Sequence, residues 1–569
     1  MNNKLKQITV LLAFSVLLLP LFAKDWPQQG GPNRDGVAPA ATAGKLASSF
    51  PDQKVPLLWQ TNVGLGTAPP VASGGRLYTF GLFKPGADPE RLAEPSSSPN
   101  YEEIAILSPY MGEKQTKGKA IKLHEIPGTP DWVIKEFGNF FDYIYRGDEY
   151  AQCLDATTGK VIWATRLTDW GVAYTANAGW VMASPAIASG KIIFHSPAGH
   201  LYCLNLSDGK KLWEVNLWEH EMYSWAEKQS NACGPLVIND TVIVSYVGVN
   251  DARYKQITTG QRQTDWTYPL LILGGFDLQT GKRKWLCKPD KGGFRLMNCR
   301  IGYAVIENNP TVLVPFGAGT YGVDPATGAK RWEYELVDDK DVVKGRRGLW
   351  APYGSYAPVA WNNYVIDSVS NAHDDIDSRT WCIQITDSKP KLAWESNEFV
   401  PFTEVFKSNL VLCDGKVYGF DAHGVWDLPG VPSEERSKID RWKNQPGRNK
   451  RDKSIGQFQC RDVATGKLLW STDAMQAHFP PHDWRSQIVN GPSEWYPTKL
   501  ILHADLLIAY SLSDLWIGQL KKDGLDILAN GPGYGNVDGS EPVLVDGLLY
   551  VRKLSTGDGN LSCYDLRTK

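Results

Sequence analysis

The sequence predicts an all-β chain built from four-stranded antiparallel units closed into a ring, and three observations carry that prediction. The first is a repeat. Asp155-Ala-Thr-Thr-Gly-Lys-Val-Ile-Trp163 sets a rule of Asp, then Gly four residues on, then Trp four residues after that. The rule recurs as Asn205/Gly209/Trp213, Asp277/Gly281/Trp285, Asp324/Gly328/Trp332 and Asp462/Gly466/Trp470. The second is a strand–turn–strand pattern between the copies, as in Ala183-Ser-Pro-Ala-Ile-Ala-Ser-Gly-Lys-Ile-Ile-Phe194. The third is a composition of 54 Gly and 22 Trp, which fits many tight turns joining aromatic strands. A repeat of this kind is read before anything else, because one unit cannot bury its apolar faces alone. Together the three predict an eight-bladed β-propeller.

Each Asp/Gly/Trp copy is a hairpin tip. Asp or Asn bonds the backbone of the turn, and Gly takes the positive φ that the turn requires. The flanks alternate or run apolar, as strands do: Leu201-Tyr-Cys-Leu leads in and Lys211-Leu-Trp-Glu leads out. The Trp falls early on the second strand, where a large flat ring can pack on an adjacent repeat. Two degenerate copies keep the spacing, Thr386/Pro390/Trp394 and Leu520/Gly524/Leu528. A last copy starts at Asp565, and the sequence ends at Lys569 before any Trp.

Taken from the N-terminus, residues 1–23 read as a signal peptide: Lys4 and Lys6, an apolar run from Ile8 to Leu19, and Ala23 as cleavage point. The run is too short for a comfortable membrane span, and no Cys follows it, so neither a span nor a lipid anchor is expected. Residues 24–54 read as an N-terminal arm, Trp26-Pro-Gln-Gln-Gly-Gly-Pro-Asn-Arg-Asp-Gly36, tacked onto the body, followed by an Ala/Ser/Gly-rich linker. Residues 55–569 are the propeller. Val55-Pro-Leu-Leu-Trp-Gln-Thr61 resembles a Trp strand with no turn before it, so it is expected to complete the last blade and close the ring. Strand pairs at Pro70 to Thr79, Gly234 to Ser245, Ala304 to Val314, Ala357 to Asp367, Leu410 to Gly419, Leu500 to Tyr510 and Pro542 to Val551 bring the count of units to eight.

With strands named a to d, the a–b and c–d turns are short and share one face. The b–c and d–a connections share the other and carry the insertions, chiefly 82–148, 249–269, 421–456 and 473–497. Long loops on a rigid scaffold are where binding and catalysis sit. The ligand-face candidates are therefore His220, Arg295, Arg347, Trp350, His373, Asp374, Asp375, His423, His478, His482, Asp483 and Arg485. Asp374, Asp375 and Asp377 offer hard oxygen ligands for calcium, though the loop lacks the Gly of an EF-hand. His478 and His482 are four apart, but Pro480 and Pro481 exclude a helix that would align them on zinc. Gly317-Ala-Gly-Thr-Tyr-Gly322 spells a dinucleotide fingerprint, yet it joins two strands with no helix to follow.

Nine Cys are present. Cys153, Cys203, Cys460 and Cys563 stand two residues before the Asp-type residue, a fixed strand position that suits a small apolar side chain. Cys287 and Cys299 flank one loop and are candidates for a disulfide. A net charge of −2, from 60 basic and 62 acidic residues, gives no electrostatic case for nucleic acid.

The Ala/Cys-x-Asp-x-x-Thr-Gly-Lys-x-x-Trp pattern resembles the pyrroloquinoline quinone (PQQ)-type propeller repeat of the quinoprotein alcohol dehydrogenase-like superfamily. The arm from Trp26 to Gly36 is similar to the start of many exported PQQ-like repeat proteins. The resemblance implies an eight-bladed propeller, and either of two functions. In the exported, non-enzymatic branch the ring is a scaffold that binds a protein or polymer partner. In the dehydrogenases PQQ lies between a Trp and a disulfide of adjacent cysteines, with calcium and an Asp base beside it. This chain has no adjacent Cys pair and no C-x-x-C-H haem motif. The expectation is a binding or scaffold protein using the b–c/d–a face, with a PQQ- and calcium-dependent alcohol or sugar dehydrogenase as the alternative. A hydrolase or lyase using paired carboxylates on that face is a third reading, which no residue spacing favours.

Overall fold

The computed structural model describes residues 25–38, 46–50, 55–66, 68–97, 105–106, 144–174, 183–217, 233–248, 270–288, 300–316, 319–335, 353–354, 357–370, 379–396, 399, 408–421, 454–476, 499–510, 514–532, 541–554 and 559–567. Among them there is no α-helix.

Eight four-stranded antiparallel sheets form the ring. Blade 1 runs Val71–Ser73, Arg76–Phe83, Ile144–Asp155 and Val161–Tyr174. Blade 2 runs Ala186–Ala188, Lys191–Ser196, His200–Asn205 and Lys211–Asn216, and blade 3 Leu236–Ile238, Thr241–Gly248, Leu270–Asp277 and Arg283–Cys287. Blade 4 is Gly302–Ile306, Asn309–Phe316, Gly319–Val323 and Lys330–Glu335, and blade 5 Val359–Trp361, Tyr364–Ser370, Arg379–Thr386 and Lys389–Ser396. Blade 6 is Val411–Cys413, Lys416–Asp421, Ser454–Asp462 and Leu468–Gln476, and blade 7 Lys499–His503, Leu506–Tyr510, Asp514–Leu520 and Leu525–Pro532. Blade 8 takes Val543–Val545, Leu548–Leu554 and Gly559–Asp565 from the C-terminus and Leu57–Asn62 from the N-terminus. Leu57 pairs with Tyr564 and Trp59 with Cys563, so the outer strand of the last blade comes from the start of the chain, as the sequence implies.

The turn chemistry follows the residues. Asp155 Oδ1 accepts from the backbone N–H of Thr157 and Thr158 and from the Thr158 hydroxyl. Gly159 takes φ +70°. At five joints the Trp of one blade then lies under the Gly of the next blade's c–d turn. A Cβ on Gly159 would sit 2.5 Å from Trp59 Cε3, and Gly209, Gly281, Gly328 and Gly466 meet Trp163, Trp213, Trp285 and Trp394 in the same way. The indole N–H completes the joint: Trp59 donates to Ala156 O, Trp213 to Leu278 O, Trp285 to Pro325 O and Trp394 to Val463 O.

The two degenerate turns leave a mark. Trp332 faces blade 5, whose c–d turn has shrunk to Asp387–Ser388, both at positive φ. Trp470 faces blade 7, whose turn lies between Leu520 and Leu525. The buried indole nitrogens of Trp332 and Trp470 find no acceptor among the described residues. Trp163 is the exception, since its ring lies against a regular turn while its N–H is also unpartnered.

The residue directly across from each Trp is small. It is Cys153, Cys203, Cys382, Cys460 or Cys563 in five blades and Gly275 or Gly322 in two. All five Cys are fully buried, and burial raises their thiols, Cys153 and Cys460 to about 11. They pack as apolar groups, as the repeat position predicts. Cys382 escapes the sequence rule because its hairpin carries two extra residues before Trp394, which puts the Cys four residues before Thr386 instead of two. A Cβ at Gly275 would stand 2.1 Å from Trp285 Cε2. Gly275→Ala is therefore expected to cost about 2 kcal/mol by overpacking, read as a lowered urea midpoint.

Candidate functional site

The a–b turns are two residues long in every blade, so one face of the ring is trimmed close. The b–c and d–a connections occupy the other face, and most of their residues lie outside the described ones. All twelve ligand-face candidates, from His220 to Arg485, fall there, as does Asp377. Cys299, the second half of the candidate disulfide, lies outside as well. His503, beside a short turn, is described and buried.

What the described residues do place is the N-terminal arm, and it sits inside the ring. Asp25 caps the a–b turn of blade 1, accepting from Ser73 Oγ at 2.7 Å and Gly74 N at 3.0 Å. Trp26 exchanges backbone hydrogen bonds with Ala72, and Pro27 O accepts from Ile187 N on the innermost strand of blade 2. Gln29 Oε1 accepts from Gly234 N at the entry to blade 3. The chain then turns back at Gly30 to Gly36, closed by a Gly36 N to Gly30 O bond. At this tip Arg34 donates to Ile301 O at 3.1 Å and to Gly234 O and Pro235 O at 2.6 and 2.8 Å. The return limb, Val37–Ala38, pairs in parallel with Leu502–His503 of blade 7. Trp26 is 2% exposed and Arg34 8%.

The arm is thus a loop pushed into the central channel from the short-turn face. The sequence reading of an arm tacked onto the body leaves its place on the body open, and Val37–Ala38, given there to the linker, form the return limb. A lone Trp among polar residues suits any place on the body, and the arm's partners are largely backbone groups of five different blades, which leave no trace in side-chain spacing.

Above the tip lies a cavity of about 40 Å³. Its upper wall is Arg300, Ala357, Asn409, Lys499 and Glu541, all at or before the start of an innermost strand and so at the long-loop end of the channel. Arg300 is ion-paired through Nη1 with Glu541 Oε1.

Two further buried polar groups lie between blades. Arg552, on the second strand of blade 8, is fully buried and donates to Ala68 O, Thr79 Oγ1, Phe80 O, Val63 O and Gly64 O. Burial pushes its pKa down to about 9, and these oxygens hold the cation in place. Glu149, on blade 1, accepts from Ser196 Oγ of blade 2 at 2.6 Å, while its Oε1 is buried with no partner among the described residues. Desolvation raises its pKa to about 7.

With this geometry in place the likenesses to known proteins can be read. Residues 147–348 match the PQQ-repeat family model described as outer membrane protein assembly factor BamB. The chain is an eight-bladed β-propeller, and those residues carry its match to the PQQ-type repeat. Its fold is similar to that of a quinohemoprotein alcohol dehydrogenase from Comamonas testosteroni, at 14% identity and a TM-score of 0.52, covering 96% of this chain and 81% of that one. BamB from Moraxella catarrhalis is similar at 12% identity and a TM-score of 0.43, over 74% of this chain and 93% of that one. No curated protein matches the chain significantly. At these identities the structural likenesses speak for the fold alone.

Among the described residues, the cavity above the arm is too small for the quinone that gives the repeat its name. A ligand of that size needs a pocket of roughly 300 Å³ or more, against about 40 Å³ above the arm. The sequence also has no adjacent Cys pair to stack on it. No helix of the described residues is long and apolar enough to cross a membrane.

Proposed function

We propose that this propeller is an exported binding or scaffold protein that engages a partner through its b–c/d–a face. The observation that carries the reading is the blocked channel. The arm fills the short-turn end, and the residues there are two-residue turns with little surface to recognise anything. Access to the ring's axis is left from the long-loop side, where sequence length has been spent on insertions. Export rests on the N-terminal charged and apolar segment. The matched family's name, an outer membrane assembly factor, supports a partner in the cell envelope.

The test is capture from the envelope fraction with two baits, the full chain and a variant in which 422–453 is replaced by a two-residue Asn-Gly turn between Asp421 and Ser454. A partner held by the first and lost by the second, with equal thermal melting, is the expected result. Equal capture by both baits, or capture abolished instead by changes at the a–b turns, would overturn the choice of face. Mature protein that still carries residues 1–23 would remove the export reading.

A further inference from the structure

The arm is held in the channel as an added strand is held by the edge of a sheet. The innermost strand of a blade turns a backbone edge to the axis, and such an edge takes another chain by main-chain bonds. Trp26 and Ala72 exchange two bonds of 2.9 Å, Ile187 N donates to Pro27 O at 2.7 Å, and Leu502 N donates to Gly36 O at 3.0 Å. Val37–Ala38 thereby make blade 7 a five-stranded sheet. Three features set which sequence fits. Trp26 and Ala38 share one apolar cluster with Ala72 and Ile501. Arg34 fills a socket of three carbonyls, Gly234 O, Pro235 O and Ile301 O, whose acceptors suit the several donors of a guanidinium. At Gly36, with φ +73°, a Cβ would be strained and would stand 3.0 Å from Val411 Cγ1 and 3.1 Å from Leu500 O.

Both limbs of the arm leave by the same mouth. Asp25 caps the a–b turn of blade 1, and Ala38 pairs with His503 beside the a–b turn of blade 7. Arg34 reaches the places where the innermost strands of blades 3 and 4 begin, at the other end of those strands. The arm therefore enters and leaves as a loop, with no chain end to thread. We propose that the short-turn half of the channel is a polypeptide-binding site, which holds this Trp-to-Arg loop without need of its covalent tether and so takes the same segment from a second copy of the chain. Its chemistry is strand addition plus one guanidinium. The tether is residues 39–45, since the next anchors are Leu46 on Arg567 and Ala47 on Leu566. A tether that short gives an effective concentration on the order of millimolar. Each ring then keeps its own arm in dilute solution, and exchange shows when the tether is cut. The site does not rest on the reading of the long-loop face.

The test uses the full chain with a protease recognition sequence inserted between Ala41 and Thr42 and cut after folding. The cut arm is expected to stay with the ring through gel filtration. A fluorescent peptide of residues 25–38 is expected to enter the cut ring one to one, read by anisotropy and native mass spectrometry. The same peptide with Arg34→Ala should bind about a hundredfold more weakly. An arm that leaves on cutting and is replaced by peptide, with the melting temperature rising as peptide is added, supports the site equally. An arm that leaves, with no uptake of peptide and no recovery of the melt, would overturn the proposal and show that the tether alone holds the arm in place. Equal binding of the two peptides would overturn it as well, by placing recognition away from the carbonyl socket. The envelope capture experiment is independent: its failure with peptide binding intact would remove the long-loop reading and leave the channel site standing.

Discussion

Replacing Arg552 with methionine is expected to destabilise the propeller by on the order of 4 kcal/mol and to do so at the closure of the ring. Arg552 belongs to blade 8, and every oxygen it bonds lies on the segment that leads from the N-terminal strand into blade 1 or on blade 1 itself. Methionine fills similar volume and leaves those acceptors in a place water does not reach. Lysine is not expected to rescue, because a point charge cannot serve oxygens on both sides of the planar fork. A urea titration gives the size of the effect. Hydrogen exchange gives its place: Leu57–Asn62 should exchange faster while the blade 3 strands keep their protection. A midpoint equal to the parent's would show that the arginine is a passenger.

Stability should also fall as the solution is made more basic, through Glu149. The folded carboxyl titrates at about 7, above the value of 4.5 for the free group. A raised carboxyl pKa means that the folded state binds the proton more tightly. The fold is then fully favoured below pH 4.5, loses ground as pH rises from there through about 7, and stays penalised above. The separation of roughly 2.5 pH units corresponds to about 3 kcal/mol. Opposing it, His195 is held low, to about 4, by burial and costs stability on the acid side. The comparison therefore has to be between proteins. Glu149→Gln keeps an acceptor for the Ser196 hydroxyl and is expected to gain stability over the parent at pH 8 and little at pH 5. A constant offset between the two at both values would show that the carboxyl does not change its charge in the fold.

How much of this was legible in the sequence depends on how local its cause is. The Asp/Gly/Trp joint was readable because turn, ring and fixed offset lie within nine residues, and the same offset brings five of the Trp under the next blade's Gly. The closure by Val55 to Thr61 was readable as a half-repeat in need of its other half. Cys382 was missed because the blade 5 hairpin is two residues longer between Cys and Trp than the regular ones, which moves the Cys out of the repeat position. The arm's place was not readable at all, since Arg34 bonds the carbonyls of Gly234, Pro235 and Ile301 and any residue can supply a carbonyl. The candidates from His220 to Arg485 were found by loop length alone, and they lie outside the described residues.

The N-terminal segment sets the timetable of folding as well as its end state. The piece that fills the axle and the piece that seals the rim are made well before their partners at Leu502–His503 and Gly559–Asp565. Contacts that span almost the whole chain are slow to form. The ring cannot lock until Gly559–Asp565 has been made, and a chain lacking that blade leaves the strand Leu57–Asn62 without its partner and exposed to aggregation.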